Sequence, residues 1–291
     1  MGEMAVNVFN SIADNYREIA SSIFCTFAAK INVKELDRKI RVGAVSYLNT
    51  KPLLFGIQRS PVLDEIELVI DYPSRIADML VKDEIDMGLV PVAVIPQLRD
   101  YHINGDYCIG SNGPVASVCL FSEVPLEEVS TVLLDYQSRT SVQLARVLLR
   151  EYWKRDPLLL DAGPDFREQI RGTTAGVVIG DRALQQRKIS PFVYDLGEGW
   201  RDLTGLPFVF AAWISNKLLA PSFMGKFNAA MKIGLDRIEE VIDENPYAVF
   251  DLREYFTRHL DYRLDGEKRR GLDRFLWYLQ NSPQKKGQLI E

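Results

Sequence analysis

The sequence predicts an α/β protein of two lobes with a helical C-terminal tail, and three observations predict it. From residue 40 onward, short apolar runs of strand length alternate with amphipathic stretches of helical period. Two longer apolar runs, 115–122 and 208–214, fence off the middle of the chain. Everything after residue 216 reads as helix. The 291 residues suffice for two ordinary domains, and a hydrophobic content of 47% supplies a packed core.

Composition excludes several classes. The formal net charge of −5 argues against a nucleic-acid surface, which needs clustered Lys and Arg. The apolar runs are short and broken by charge, so no membrane span is expected. Cys25, Cys108 and Cys119 have no metal-type spacing, and an odd number fits a reducing, cytoplasmic setting better than a disulfide framework. With only His102 and His259, a histidine triad or multi-histidine metal site has little to draw on.

Residues 1–38 stand apart from the alternation. Val6, Phe9, Ile12, Tyr16 and Ile19 recur at roughly helical spacing, but Glu3 and Asp14 replace the basic start of a signal peptide. The segment reads as a loosely packed extension. The alternation then begins: strand 41–45, helix 52–57 opening at Pro52, strand 65–70, helix 73–82 opening at Tyr72-Pro73-Ser74, strand 86–90 and a short helical piece at 91–98. Strand 115–122 lies between turns at Pro114 and Pro125. A second set follows: strand 131–135, amphipathic helix 139–153, strand 158–160, helix 165–171, strand 175–179, helix 181–186 and strand 192–195. Strand 208–214 precedes three helical pieces near 217–244, 246–259 and 265–281.

The simplest arrangement sets 115–122 beside 208–214 as a two-stranded hinge. Lobe 1 is then discontinuous, 40–118 with 211–291, and lobe 2 is 119–210. That is the layout of a periplasmic-binding-protein-like fold of type II, with a ligand cleft between the lobes.

Three strand-to-helix turns are placed to aim free N–H groups at such a cleft. Asn49-Thr50-Lys51-Pro52 lies in the first lobe, with Ser46 and Tyr47 just before it. Gln137-Ser138-Arg139-Thr140-Ser141 and Ile179-Gly180-Asp181-Arg182 lie in the second. A helix start favours a carboxylate through its N–H groups and dipole. The hydroxyls of Ser138, Thr140 and Ser141 add donors, and Arg139 adds charge. Ordinary capping explains any one of these turns; helix starts from both lobes at one cleft point to a small acidic ligand. Ser117, in the run into the first long strand, is open to two readings: a strand serine satisfied by backbone, or a ligand contact.

In this order, five blocks resemble the chorismate dehydratase family of the futalosine route to menaquinone. They are Val45-Ser46-Tyr47-Leu48-Asn49-Thr50 with Pro52-Leu53; Ser111-Asn112-Gly113-Pro114-Val115 with Ser117-Val118; Ser138-Arg139-Thr140-Ser141-Val142; Ile179-Gly180-Asp181-Arg182-Ala183-Leu184; and Tyr194-Asp195-Leu196-Gly197 with Trp200 and 204–211. The resemblance runs from about residue 40 to the end and leaves out 1–38. It implies dehydration of chorismate to 3-[(1-carboxyvinyl)oxy]benzoate without metal or organic cofactor. It places the active-site asparagine at Asn49 and the active-site serine at Ser117; Ala116 stands where the family often carries Arg. Ser46, Tyr47, Ser138, Arg139, Thr140, Ser141, Gly180 and Asp181 are the expected substrate-binding residues. The expected partner is a small dicarboxylate, with neither nucleic acid nor membrane, and oligomeric state stays open. Two alternatives remain: the 1,4-dihydroxy-6-naphthoate synthase of the same pathway, and a non-catalytic small-anion-binding protein of the same fold.

Overall fold

The computed structural model describes residues 38–281. The expectations for residues 1–37, Cys25 included, and for the tail beyond 281 lie outside the described residues. Strand β1 (Ile40–Val45) leads through a 3-10 turn at Leu48–Thr50 into helix α1 (Lys51–Gln58), with Pro52 in its first turn. Strand β2 (Ile66–Asp71), helix α2 (Pro73–Val81) and strand β3 (Met87–Pro91) follow, with β1 parallel to both β2 and β3. Strand β4 (His102–Ser111) ends this first pass. The second set comprises β5 (Val118–Ser122), β6 (Thr131–Leu134), α3 (Thr140–Glu151), β7 (Leu158–Asp161), β8 (Thr174–Ile179), α4 (Asp181–Gln186), β9 (Phe192–Asp195) and α5 (Leu196–Thr204). The chain returns in β10 (Phe208–Ser215), then α6 (Pro221–Asp236), α7 (Ile238–Glu244), a helical stretch over 252–259, β11 (Asp261–Arg263) and α8 (Gly266–Asn281).

The strands form two mixed sheets, ordered β11-β4-β10-β3-β1-β2 and β7-β6-β8-β5-β9. Each contains three parallel strands beside one antiparallel strand that has just arrived from the other lobe. That strand is β10 next to β3 in the first sheet and β5 next to β8 in the second. The expected two-stranded hinge is therefore corrected: β5 and β10 lie in different sheets. Both are buried along their whole length. A bare pair of such strands would leave apolar faces and unpaired edges in water, whereas a central sheet position covers the faces and pairs both edges. The crossings are the segments 112–117 and 205–207. Because Phe208 and Val209 pair with Ser111 and Gly110, residues 208–210, expected in the second lobe, belong to the first sheet.

Other differences have local causes. Strand β5 starts only at Val118, because Ser117 N–H donates to Val115 O at 2.7 Å around Ala116, whose φ is +63°. The 165–171 helix shrinks to a 3-10 turn at Phe166–Gln169. One apolar core cluster joins residues of both sheets and the C-terminal helices, and a smaller one packs Phe121, Phe166 and Ile170 under β5 and β8. Among the described residues, no helix is long and apolar enough to cross a membrane.

Candidate functional site

The carboxyl ends of β1, β3 and β8 meet the starts of α2 and α3 around a cavity of about 50 Å³. Val45, Pro91 and Ile179 line it from the strand ends, and Pro73, Thr140 and Ser141 from the helix starts. Tyr47, Asn49, Ser138 and Gly180, all expected from the sequence, also line it, as do Phe210 and Ala211 from the start of β10. This is where an open α/β sheet presents helix N–H groups to a ligand.

On the first-lobe side, the turn after β1 is fixed by its neighbours. Leu48 N–H donates to Asp181 Oδ1 at 3.0 Å, which ties this turn to the second-lobe helix α4. The Tyr262 hydroxyl donates to Asn49 O at 2.9 Å. Asn49 Oδ1 accepts from Thr50 Oγ1 at 3.1 Å. Asn49 lines the cavity, and its side-chain amide N–H groups have no partner among the described residues. The Tyr47 ring lies against Gly180, whose φ is +65°; a β-carbon there would come within 2.8 Å of the ring. The Tyr47 hydroxyl donates to Gln137 Oε1 and accepts from Arg182 Nη2 at 3.3 Å.

On the second-lobe side, Asp135 organises the wall. Its carboxylate accepts from Gln137 N–H at 3.0 Å and Ile179 N–H at 3.1 Å, and takes two contacts of 2.8 and 2.9 Å from Arg182. Burial pushes the Asp135 carboxyl up, while Arg182 and the two N–H groups oppose it. Burial likewise raises the Tyr47 phenol, which stays protonated at neutral pH. Ser138 Oγ accepts from Ser141 N–H at 3.0 Å, a helix-capping contact. Thr140 Oγ1 accepts from Ala93 N–H of the first lobe at 3.1 Å.

Four expected residues do not line the cavity. Ser46 is exposed, and its N–H donates to Asp71 O at 3.1 Å. Arg139 is turned to the first lobe, ion-paired with Asp78 and donating to Gln97 Oε1 at 3.0 Å. Asp181 spends its carboxylate on Leu48 N–H, and burial raises it above the ordinary carboxylate value. Ser117 is 1% exposed, directly behind the cavity wall. Its carbonyl accepts from Gly180 N–H at 2.8 Å and its Oγ from the Tyr255 hydroxyl at 2.7 Å.

The residues that the sequence reading missed are those holding this arrangement. Asp195 Oδ2 accepts from Val115 N–H at 3.1 Å and Ala116 N–H at 2.8 Å, and Oδ1 caps α5 through Gly197 N–H at 2.9 Å. The His259 ring Nδ1–H donates to Pro114 O at 3.0 Å. Tyr247, Tyr255 and Tyr262 reach in from the C-terminal segment. Asp195 and Arg182 stood inside the blocks already quoted; the three tyrosines had only their recurrence at seven- to eight-residue spacing as a signal.

The fold is two-lobed and periplasmic-binding-protein-like. Solved structures agree: protein AF1704 from Archaeoglobus fulgidus is similar with a TM-score of 0.68 at 13% identity, covering 84% of this chain and 98% of that one. The periplasmic aliphatic sulphonate binding protein SsuA from Escherichia coli is similar with a TM-score of 0.54 at 14% identity, covering 86% and 94%. A family profile described as menaquinone biosynthesis matches residues 40–281, and the chain belongs to that family. It is similar to the chorismate dehydratase of Campylobacter jejuni subsp. jejuni, 26% identical over 80% of this chain and 95% of that protein. The chorismate dehydratase of Thermus thermophilus is 25% identical over 80% and 93%.

Proposed function

We propose that this protein is a chorismate dehydratase, a cytoplasmic hydro-lyase that converts chorismate to 3-[(1-carboxyvinyl)oxy]benzoate and water in the futalosine route to menaquinone. The observation that carries the reading is the cavity itself. Asn49, with its amide N–H groups free, faces the start of α3 across a gap ringed by helix starts of both lobes, in a chain of the menaquinone biosynthesis family. Chorismate is a dicarboxylate, and helix starts on both sides suit its two charges.

In the reaction, a ring C–H beside the enolpyruvyl ether loses its proton and a neighbouring C–O bond breaks. The electron pair of the C–H bond becomes a ring double bond, and the departing hydroxyl leaves as water. Aromatisation supplies much of the driving force, so a strong protein base is not required. The enolpyruvyl carboxylate of the substrate takes the proton and passes it to the departing hydroxyl, so that the two leave together as water. Asn49, on the cavity wall, orients that side chain, and Ser117, buried just behind the wall, orients the departing hydroxyl. Arg139, Ser46 and Asp181 support this arrangement from outside the cavity rather than by touching substrate.

The test is to incubate purified protein with chorismate and identify the aromatic enolpyruvyl ether by mass spectrometry. Asn49→Ala and Ser117→Ala are expected to lower kcat about a hundredfold, the scale of lost orientation, with a much smaller change in chorismate affinity. Tight chorismate binding without product would favour a non-catalytic anion-binding protein. Near-normal turnover in both variants would remove Asn49 and Ser117 from the reaction centre.

A further inference from the structure

We propose that Tyr255 is a positioning residue for the reaction, acting through the Ser117 hydroxyl. The proposal rests on the dehydratase reading and adds a residue that lies outside every block resembling the family. Tyr255 sits in the helical stretch over 252–259, 138 positions along the chain from Ser117, and is fully buried. Its ring is wedged between Phe250 and Phe256, with centroids 6.1 and 5.6 Å away. Its hydroxyl donates to Ser117 Oγ at 2.7 Å.

A serine hydroxyl carries one hydrogen and two acceptor positions. The two hydroxyls share a single hydrogen bond, so one of their two hydrogens meets no acceptor among the described residues. A buried hydroxyl hydrogen without an acceptor is costly. Ser117 is flanked by Val118 and bonded through its carbonyl to Gly180, both of which line the cavity. On the dehydratase reading, the acceptor is a ligand oxygen on that side, the departing hydroxyl of the substrate. Burial holds the Tyr255 phenol far above its ordinary value, so it remains a donor throughout the neutral range.

The same C-terminal segment treats the whole site this way. The Tyr262 hydroxyl donates to Asn49 O at 2.9 Å and the Tyr247 hydroxyl to Asp181 O at 3.1 Å. Those two bond backbone carbonyls. Tyr255 alone of the three bonds a side chain to which the proposed reaction gives a part.

Tyr255→Phe keeps the ring and its packing and removes only the hydroxyl. The experiment measures kcat, KM and the melting temperature for the wild type, Y255F, S117A and the S117A/Y255F double variant with chorismate. Expected for Y255F are a folded protein, a kcat lower by about tenfold or more, and a KM within about twofold of the wild type. The double variant is expected to be no slower than S117A, because the phenol has nothing left to position. Wild-type turnover in Y255F, losses that multiply in the double variant, or a Y255F chain that does not fold would each overturn the proposal and leave the dehydratase reading standing. A wild-type protein that does not turn over chorismate overturns both.

Discussion

Ala116 occupies an unusual conformation for its residue type. Its φ of +63°, with Ser117 N–H bonded back to Val115 O, makes a three-residue turn of the strained hand. An L-residue there costs about 1–2 kcal/mol, and Asp195 holds it by accepting from Ala116 N–H. The strain sits one residue before Ser117, so it sets the backbone from which that hydroxyl projects. Ala116→Gly removes the steric cost but adds backbone freedom. It is expected to leave the melting temperature equal or slightly higher while lowering kcat, read by thermal denaturation beside the chorismate assay. At this scale the place of Asn49 on the cavity wall was legible, because the strand before it and Pro52 after it set its turn at the carboxyl edge of a sheet. Arg139 was not: a cation at a helix start reads as an anion ligand until Asp78, on a different element, is seen to claim it.

Among the elements, α1 carries the Asn49 turn at its start, and it is seated by backbone contact with α6. A β-carbon on Gly56 would fall 1.9 Å from Ala230 O, and one on Gly234 would fall 1.8 Å from Pro52 O. The two helices therefore touch at paired glycines. Alanine favours an isolated helix by about 1 kcal/mol over glycine; against a backbone overlap of this size, that gain is lost. Gly234→Ala is expected to destabilise the fold by about 2 kcal/mol net, measured by urea denaturation, and to disturb the Asn49 turn. Three elements escaped the sequence reading: β4, α5 and the short β11, which breaks the expected all-helical tail by pairing with β4; the first two did so for a related reason. Strand β4 runs through Asn104-Gly105-Asp106, which reads as a turn, and Gly105 does adopt a φ of +74°. The strand survives as a distorted ladder because Asn228 of α6 takes the Asp106 N–H at 3.1 Å. Helix α5 contains Gly197 and Gly199, both poor helix formers, yet a β-carbon on Gly197 would meet Gly113 O at 2.5 Å. Glycine is required there by the neighbouring crossing, which local propensity does not record.

Across the whole molecule, the site and the main charge cluster occupy opposite ends of the first sheet. The cavity lies at the carboxyl ends of β1 and β3; Asp86, wholly buried, lies just before β3 at the other end. Burial works to raise its carboxyl. Hydrogen bonds from Arg38 at 2.7 Å, Lys217 at 2.7 Å and the Arg41 N–H at 2.8 Å outweigh that and hold it far below the ordinary carboxylate value. A carboxyl depressed on folding contributes stability that is fully present above its unfolded value, near 3.9, and is lost as pH falls below it. Asp86→Asn is expected to cost about 2 kcal/mol at pH 7, less than for an enclosed pair because its cations reach solvent. The variant should also show a flatter loss of stability below about pH 4, followed by chemical denaturation across pH. The alternation of strands and helices, the apolar strands that fill two sheets, and the blocks that mark the family were all determined by the sequence alone. Each depends on local period or on residues close together in the chain. Only the tertiary structure decided that β5 and β10 exchange between sheets, that Arg139 and Asp181 bond across the lobes rather than face the cavity, and that three tyrosines from the C-terminal segment hold Asn49, Ser117 and Asp181. Those outcomes rest on contacts between residues more than 60 positions apart along the chain, where the partner of a polar group is set by which backbone and side-chain atoms the fold brings within hydrogen-bonding distance.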